Sequence, residues 1–138
     1  MSRHSPHTQR LRGIDRFRDV SDRDLEKVAS AGTYVHEPAN WTLMEQGTGA
    51  DKAYVILSGT VSVRQKGTEI ATLGAGDLIG EMGIVDHRLR TASVVSTSKL
   101  EVLHFTSEKL ERLADDIPAF GKALSEAASS HLDSDPGN

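Results

Sequence analysis

Gly76-Asp77-Leu78-Ile79-Gly80-Glu81-Met82-Gly83-Ile84-Val85-Asp86-His87-Arg88-Leu89-Arg90-Thr91-Ala92-Ser93-Val94 is the stretch from which the rest of the 138-residue chain is best read. At its centre two glycines flank a carboxylate, in Gly80-Glu81-Met82-Gly83. A glycine lets backbone N–H groups come close to a ligand, because no Cβ stands in the way. Nine residues after Glu81 comes Arg90, followed by the small residues Thr91, Ala92 and Ser93. A guanidinium grips two phosphate oxygens at once, and successive N–H groups in a turn form a further anion-binding concavity. Glu81 is the informative oddity, since a carboxylate beside a phosphate is repelled unless it has another task. Ionised, it only accepts hydrogen bonds, and the natural donor beside a nucleotide phosphate is a ribose hydroxyl. Phosphate plus ribose points to a small nucleotide.

The pattern Gly-Asp-x-x-Gly-Glu-Met-Gly with Arg-Thr-Ala-Ser-Val downstream resembles the phosphate-binding cassette of cyclic nucleotide-binding domains. The resemblance continues upstream through Gln46-Gly47-Thr48-Gly49-Ala50-Asp51-Lys52-Ala53-Tyr54-Val55-Ile56-Leu57-Ser58-Gly59-Thr60-Val61-Ser62-Val63. It implies an eight-stranded antiparallel jelly-roll barrel with a short N-terminal helix and two C-terminal helices. It also implies that Glu81 takes the ribose 2′-hydroxyl and Arg90 the cyclic phosphate. Backbone N–H groups near Gly83 and Ala92 complete the phosphate shell, Gly80 shapes the clip, and Met82 and Thr91 belong to it. The ligand so implied is cyclic AMP first and cyclic GMP second, because Thr91 alone does not decide the base. Asn40-Trp41 departs from the family's usual Gly-Glu, but Asn tolerates the left-handed conformation, so the turn is expected to survive.

The residues themselves agree with such a fold. From Thr33 the chain reads as short strands over 33–37, 41–46, 53–57, 60–65, 68–73, 92–96 and 100–105. Credible turns separate them at Pro38-Ala39-Asn40, Gly47-Thr48-Gly49, Ser58-Gly59 and Lys66-Gly67. Many short strands at even spacing suggest a sandwich or barrel. Ser21-Asp22-Arg23-Asp24 resembles a capping box and predicts a helix over 21–31, ending near Gly32. Ile14 and Phe17 suggest one helical turn before it. A helix starts at Thr106-Ser107-Glu108, with Leu110, Leu113 and Ala114 as its apolar face. Pro118 opens a last helix carrying Phe120, Ala123, Leu124, Ala127 and Leu132. Residues 1–13, polar and basic, read as a flexible tail, 14–132 as the domain and 133–138 as a second tail. The last helix is short for a lid over the base.

Composition narrows the function. The chain has 37% hydrophobic and 26% charged residues, as a globular protein does, and no cysteine. A net charge of −4 gives no broad basic face for nucleic acid. No apolar run reaches a membrane span or a signal peptide, so the cytoplasm is the expected location. Gly74 to Gly80 misses the dinucleotide fingerprint by one residue and opens no long helix. The six histidines (4, 7, 36, 87, 104, 131) form no metal-binding pair, and no nucleophile–base set can be assembled. The expectation is therefore a non-enzymatic sensor without metal or cofactor, whose partner is its own copy or a separate effector protein. The alternatives are a degenerate domain used as a protein-interaction scaffold and, behind it, a cupin-like metalloenzyme using Glu81, Asp86 and His87.

Overall fold

The computed structural model describes residues 6–44, 52–80 and 93–133. Eight strands lie among them, β1 (Thr33–Glu37), β2 (Thr42–Met44), β3 (Lys52–Ser58), β4 (Val61–Gln65), β5 (Thr68–Leu73), β6 (Leu78–Gly80), β7 (Ser93–Ser96) and β8 (Leu100–Thr106). They form two four-stranded sheets in the orders β1-β8-β3-β6 and β2-β7-β4-β5. Every pairing is antiparallel. Helices α1 (Pro6–Arg12), α2 (Asp22–Ala31), α3 (Ser107–Asp116) and α4 (Pro118–Asp133), with a 3-10 turn at Asp15–Phe17, complete the described chain.

Strand alternation sorts the apolar residues into two cores. Tyr54 and Ile56 of β3, Leu100 and Val102 of β8, Ile79, Val61, Val63, Leu73 and Val94 fill the space between the sheets. Ala53, Val55 and Leu57 of β3 and Leu103 and Phe105 of β8 face the other way, onto a helical layer. Leu11, Phe17, Leu25, Val28, Leu110, Phe120 and Leu124 supply that layer. Strand β3 is buried on both faces, which is why Ala53-Tyr54-Val55-Ile56-Leu57 reads as an unbroken apolar run rather than an alternation.

Local chemistry sets the element ends. Ser21 caps α2 by accepting from the Asp24 N–H at 3.1 Å, and Thr106 caps α3 by accepting from the Lys109 N–H at 3.1 Å. Pro118 is the first residue of α4, as expected. Asn40 takes φ 67° in the β1–β2 turn, and Lys66 and Gly67 take φ 53° and 79° in the β4–β5 hairpin. Gly121 lets α4 cross α3 closely: a Cβ there would lie 2.8 Å from the Ala114 carbonyl oxygen. Alanine in place of glycine favours a helix by about 0.5–1 kcal/mol, but overlap with main chain that cannot swing aside costs about 1–3 kcal/mol. Gly121→Ala is therefore expected to lower the urea unfolding midpoint, by a net of about 1 kcal/mol.

Three expectations are corrected. The flexible tail over 1–13 does not describe residues 6–13, because Pro6–Arg12 is helical and Leu11 is fully buried. The helix owes its place to distant partners: His7 stacks on Tyr34 with ring centroids 4.5 Å apart, and Arg10 reaches Glu101. Residues 1–5 lie outside the described chain. Strand β6 was not among the expected strands; it is three residues long and gains its ladder from β3, with Ala53 opposite Gly80 and Tyr54 opposite Ile79. At the other end of the chain, α4 runs to Asp133, so the first residue of the expected second tail is helical.

Candidate functional site

Strand order decides where the Gly76–Val94 stretch lies. At one end of the sandwich the described chain turns in short connections, 38–41, 59–60, 74–77 and 97–99. These are tied by main-chain and hydroxyl bonds. Asn40 N–H donates to Ser96 O at 2.7 Å, Trp41 N–H to Ser96 Oγ at 2.8 Å, and Thr60 N–H to Ser98 Oγ at 3.1 Å. At the opposite end stand Ala53 beside Gly80 and Met44 beside Val94. The two longest connections between the sheets, 45–51 and 81–92, both join elements at this end. Binding residues concentrate on long connections held by a rigid scaffold, and 81–92 is the stretch that the sequence singles out.

The approach to it is firmly built. Asp77 closes the β5–β6 turn, its carboxylate accepting from Gly74 N–H at 2.9 Å and its own N–H donating to Gly74 O at 3.0 Å. Gly76 N–H donates to Ile56 O at 2.8 Å, and Ile56 N–H to Asp77 O at 3.0 Å. Gly76 has φ 91°, and a Cβ there would press to 3.0 Å of Ile14 Cγ2, so the turn and the 3-10 segment fix each other. From this turn β6 leads to Gly80, its last residue in one sheet, and β7 begins at Ser93 opposite Arg64 in the other. Of the expected site residues, Gly80 is therefore placed at the C-terminal end of β6. Glu81, Met82, Gly83, Arg90, Thr91 and Ala92 lie outside the described residues.

Two groups of polar residues escaped the sequence reading. Between the sheets, Tyr54 and His104 sit directly opposite each other on β3 and β8, with rings 5.2 Å apart. On the helical side, Glu101 accepts from Arg10 through both guanidinium nitrogens at 2.5 and 3.1 Å, from Tyr34 Oη at 2.5 Å and from Ser58 Oγ at 2.8 Å. The hydrogen bonds from Arg10, then Tyr34, then Ser58 hold its carboxyl at about 2, against an ordinary 4.5. A depressed carboxyl adds stability above its unfolded-state pKa and loses it as pH falls through the folded-state value. The bond of α1 to β8 is thus expected to weaken between about pH 4.5 and pH 2. In acid titrations followed by circular dichroism, the stability gap between wild type and Glu101→Gln should close across that window. The side chains of Arg10 and Glu101 are each 33% exposed, so solvent screening keeps this contribution modest.

A cavity of about 530 Å³ opens at the other end of β6, between the 3-10 turn, Ala75-Gly76 and α4. Charges of both signs line it, among them Asp15, Arg16, Lys122 and Glu126. It lies away from Gly80 and Ser93, and nothing in its lining selects an anion. Among the described residues no three His, Asp or Glu side chains gather to hold a metal ion, and no helix is long and apolar enough to cross a membrane.

The fold is an antiparallel sandwich backed by helices, and the connection 81–92 joins a strand of one sheet to a strand of the other. The profile of the cyclic nucleotide-binding domain family matches residues 34–116, more than half of the chain, and the chain belongs to that family. An uncharacterised NTE family protein of Mycobacterium tuberculosis is 30% identical over 115 residues, which are 83% of this chain and 20% of that protein. The cGMP-dependent protein kinase isozyme 1 of Drosophila melanogaster is 30% identical over 115 residues, covering 78% of this chain and 15% of the kinase. The cAMP-dependent protein kinase type II regulatory subunit of the same fly is 43% identical over 76 residues, covering 51% of this chain and 20% of that one. The chain thus spans only about a fifth or less of these relatives' length. Among solved structures, a cyclic nucleotide-binding domain from Methylobacillus flagellatus superposes with TM-score 0.74 at 22% identity, over 96% of this chain and 83% of that one. The Thermus thermophilus catabolite activator protein superposes with TM-score 0.71 at 24% identity, over 85% of this chain and 57% of that one. These likenesses establish the fold.

Proposed function

We propose that this chain is a regulatory module that binds a cyclic nucleotide, cyclic AMP in preference to cyclic GMP. The contacts are assigned to Gly80, Glu81, Met82, Gly83, Arg90, Thr91 and Ala92, with Glu81 on the ribose hydroxyl and Arg90 on the cyclic phosphate. The observation that carries this reading is the position of the stretch within a family fold. It leaves one sheet at Gly80 and rejoins the other at Ser93, at the end of the sandwich where the connections are long. The order of the two bases leans on the 43% identity to the type II regulatory subunit. Residues 14–132 are the proposed functional unit, joined by α1. No covalent step is assigned to it. Occupancy of the site would shift α4, and with it a contact to a second copy or to an effector protein, by the ligand's differential affinity for the two arrangements.

Thermal unfolding with cyclic AMP, cyclic GMP and 5′-AMP tests the reading. Ligand at 100 times its dissociation constant adds about 2.7 kcal/mol, and at about 2–4 °C per kcal/mol that is a shift of about 5–11 °C. A shift with a cyclic nucleotide but not with 5′-AMP supports the sensor. No shift with any of them up to millimolar concentration refutes it and leaves the interaction-scaffold reading.

A further inference from the structure

A lone exposed apolar side chain needs no partner, and what sets Trp41 apart is how it is held and what surrounds it. It is the only tryptophan of the chain and, among the described residues, the only large apolar side chain left exposed, at 48%. Its main chain is clamped to the fully buried Ser96. The Trp41 N–H donates to Ser96 Oγ at 2.8 Å, and the Ser96 N–H donates to the Trp41 carbonyl at 2.8 Å. Ser96 Oγ in turn donates to the Pro38 carbonyl at 2.6 Å. The next connections are fastened to the same segment, with Thr97 N–H donating to Thr60 O at 2.9 Å and the two threonine hydroxyls 2.6 Å apart. An aromatic anchor on a fixed turn loses little conformational freedom when it binds. Tryptophan is also among the residues that carry most of the energy of protein interfaces.

The surroundings indicate what kind of partner fits. In a chain with 26% charged residues, the connections 38–41, 59–60 and 97–99 hold one charge, Lys99. The cores of protein interfaces are depleted of charge in this way. Two copies of a chain with net charge −4 repel each other, and an uncharged face is where that repulsion is least. At its rim stand one negative and one positive group. Glu37 ends β1 opposite Leu100, and Lys99 directly precedes Leu100. Among the described residues neither has an ion-pair partner. A two-fold axis sets one patch against itself, so it brings Glu37 of each copy toward Lys99 of the other. We propose that this turn face is a contact between two copies of the chain, with Trp41 at its centre and the Glu37–Lys99 pairs at its rim. The proposal does not depend on the cyclic-nucleotide reading. A face of three short turns is small beside the about 800 Å² per partner of a standard interface, so the dimer is weak and concentration-dependent.

Sedimentation velocity of the full chain from about 10 µM to about 1 mM, read beside tryptophan emission, tests the proposal. Monomer should pass to dimer as concentration rises. Emission, which reports position 41 alone, should move to shorter wavelength along the same curve. Trp41→Ala should raise the dissociation constant of the dimer about thirtyfold or more. Its urea midpoint should stay at the wild-type value, because the clamp on Ser96 is made by the main chain. Glu37→Lys and Lys99→Glu each set like charges together twice, and each should weaken the dimer about five- to thirtyfold. Mixed in equal amounts, these two variants should associate about as well as wild type, since both pairs are then of opposite sign. A monomer throughout the range overturns the proposal. So does a dimer that Trp41→Ala leaves within about threefold of wild type, or charge variants that associate no better mixed than alone. Dimer formation with unchanged emission would put the contact elsewhere and overturn it too. A monomer whose emission shifts only with phosphatidylcholine vesicles would assign the face to a lipid surface, again against the proposal.

Discussion

Arg90→Ala is expected to weaken cyclic nucleotide binding by about a hundredfold to ten-thousandfold while leaving the ligand-free protein folded. A hydrogen bond to a charged group contributes about 1.5–3 kcal/mol, and a guanidinium meeting a phosphate makes two in parallel. Losing both removes about 3–6 kcal/mol, at 1.4 kcal/mol for each tenfold. Arg90→Lys keeps the charge but loses the planar fork, so it should fall between wild type and alanine. The competing account makes Arg90 a surface ion-pair partner of Glu81, and such pairs contribute about 0–1 kcal/mol. On that account Arg90→Ala would alter ligand-free stability slightly and ligand affinity not at all. Calorimetric titration of the three proteins separates the two.

The second large effect concerns the scaffold. Gly59→Ala is expected to destabilise the fold by about 3 kcal/mol or more, combining backbone strain with overpacking. Gly59 holds φ 97° in the β3–β4 turn. A Cβ there would overlap the Lys99 carbonyl oxygen and lie 3.0 Å from Leu100 Cα, so the β7–β8 turn has to move. Gly67 is the control: its φ is 79°, but a Cβ there would meet nothing within 4 Å. Gly67→Ala therefore carries conformational strain alone, about 1 kcal/mol. A domain is stable by only about 5–15 kcal/mol, so the two variants should differ clearly in urea midpoint. Equal midpoints would show that the crowding at Gly59 is relieved without loss.

The contrast between these glycines shows what was legible in the sequence. Gly59 and Lys66-Gly67 read correctly as turns, because left-handed backbone at a hairpin leaves a compositional mark. Ser21 and Thr106 read correctly as helix starts for the same local reason. The residues placed by partners far along the chain were not legible. Helix α1 is seven residues of mostly polar sequence, and what holds it is Glu101, 91 positions away from Arg10. Strand β6 is too short to show an alternation, and only its pairing with β3 makes it a strand. Tyr54 lay within an apolar run and His104 read as one more scattered histidine. That they meet inside the sandwich depends on the β3–β8 register. The ligand contacts proposed for Glu81 and Arg90 rest on the chemistry of those side chains in the sequence, and both residues lie outside the described chain.

Direct titration of cyclic AMP and cyclic GMP into the wild-type chain by calorimetry tests the central claim most closely. The account predicts saturable binding of one cyclic nucleotide per chain, tighter for cyclic AMP, and no comparable binding of 5′-AMP. Absence of saturable heat with either cyclic nucleotide up to millimolar concentration, in a protein that still unfolds cooperatively, would contradict it.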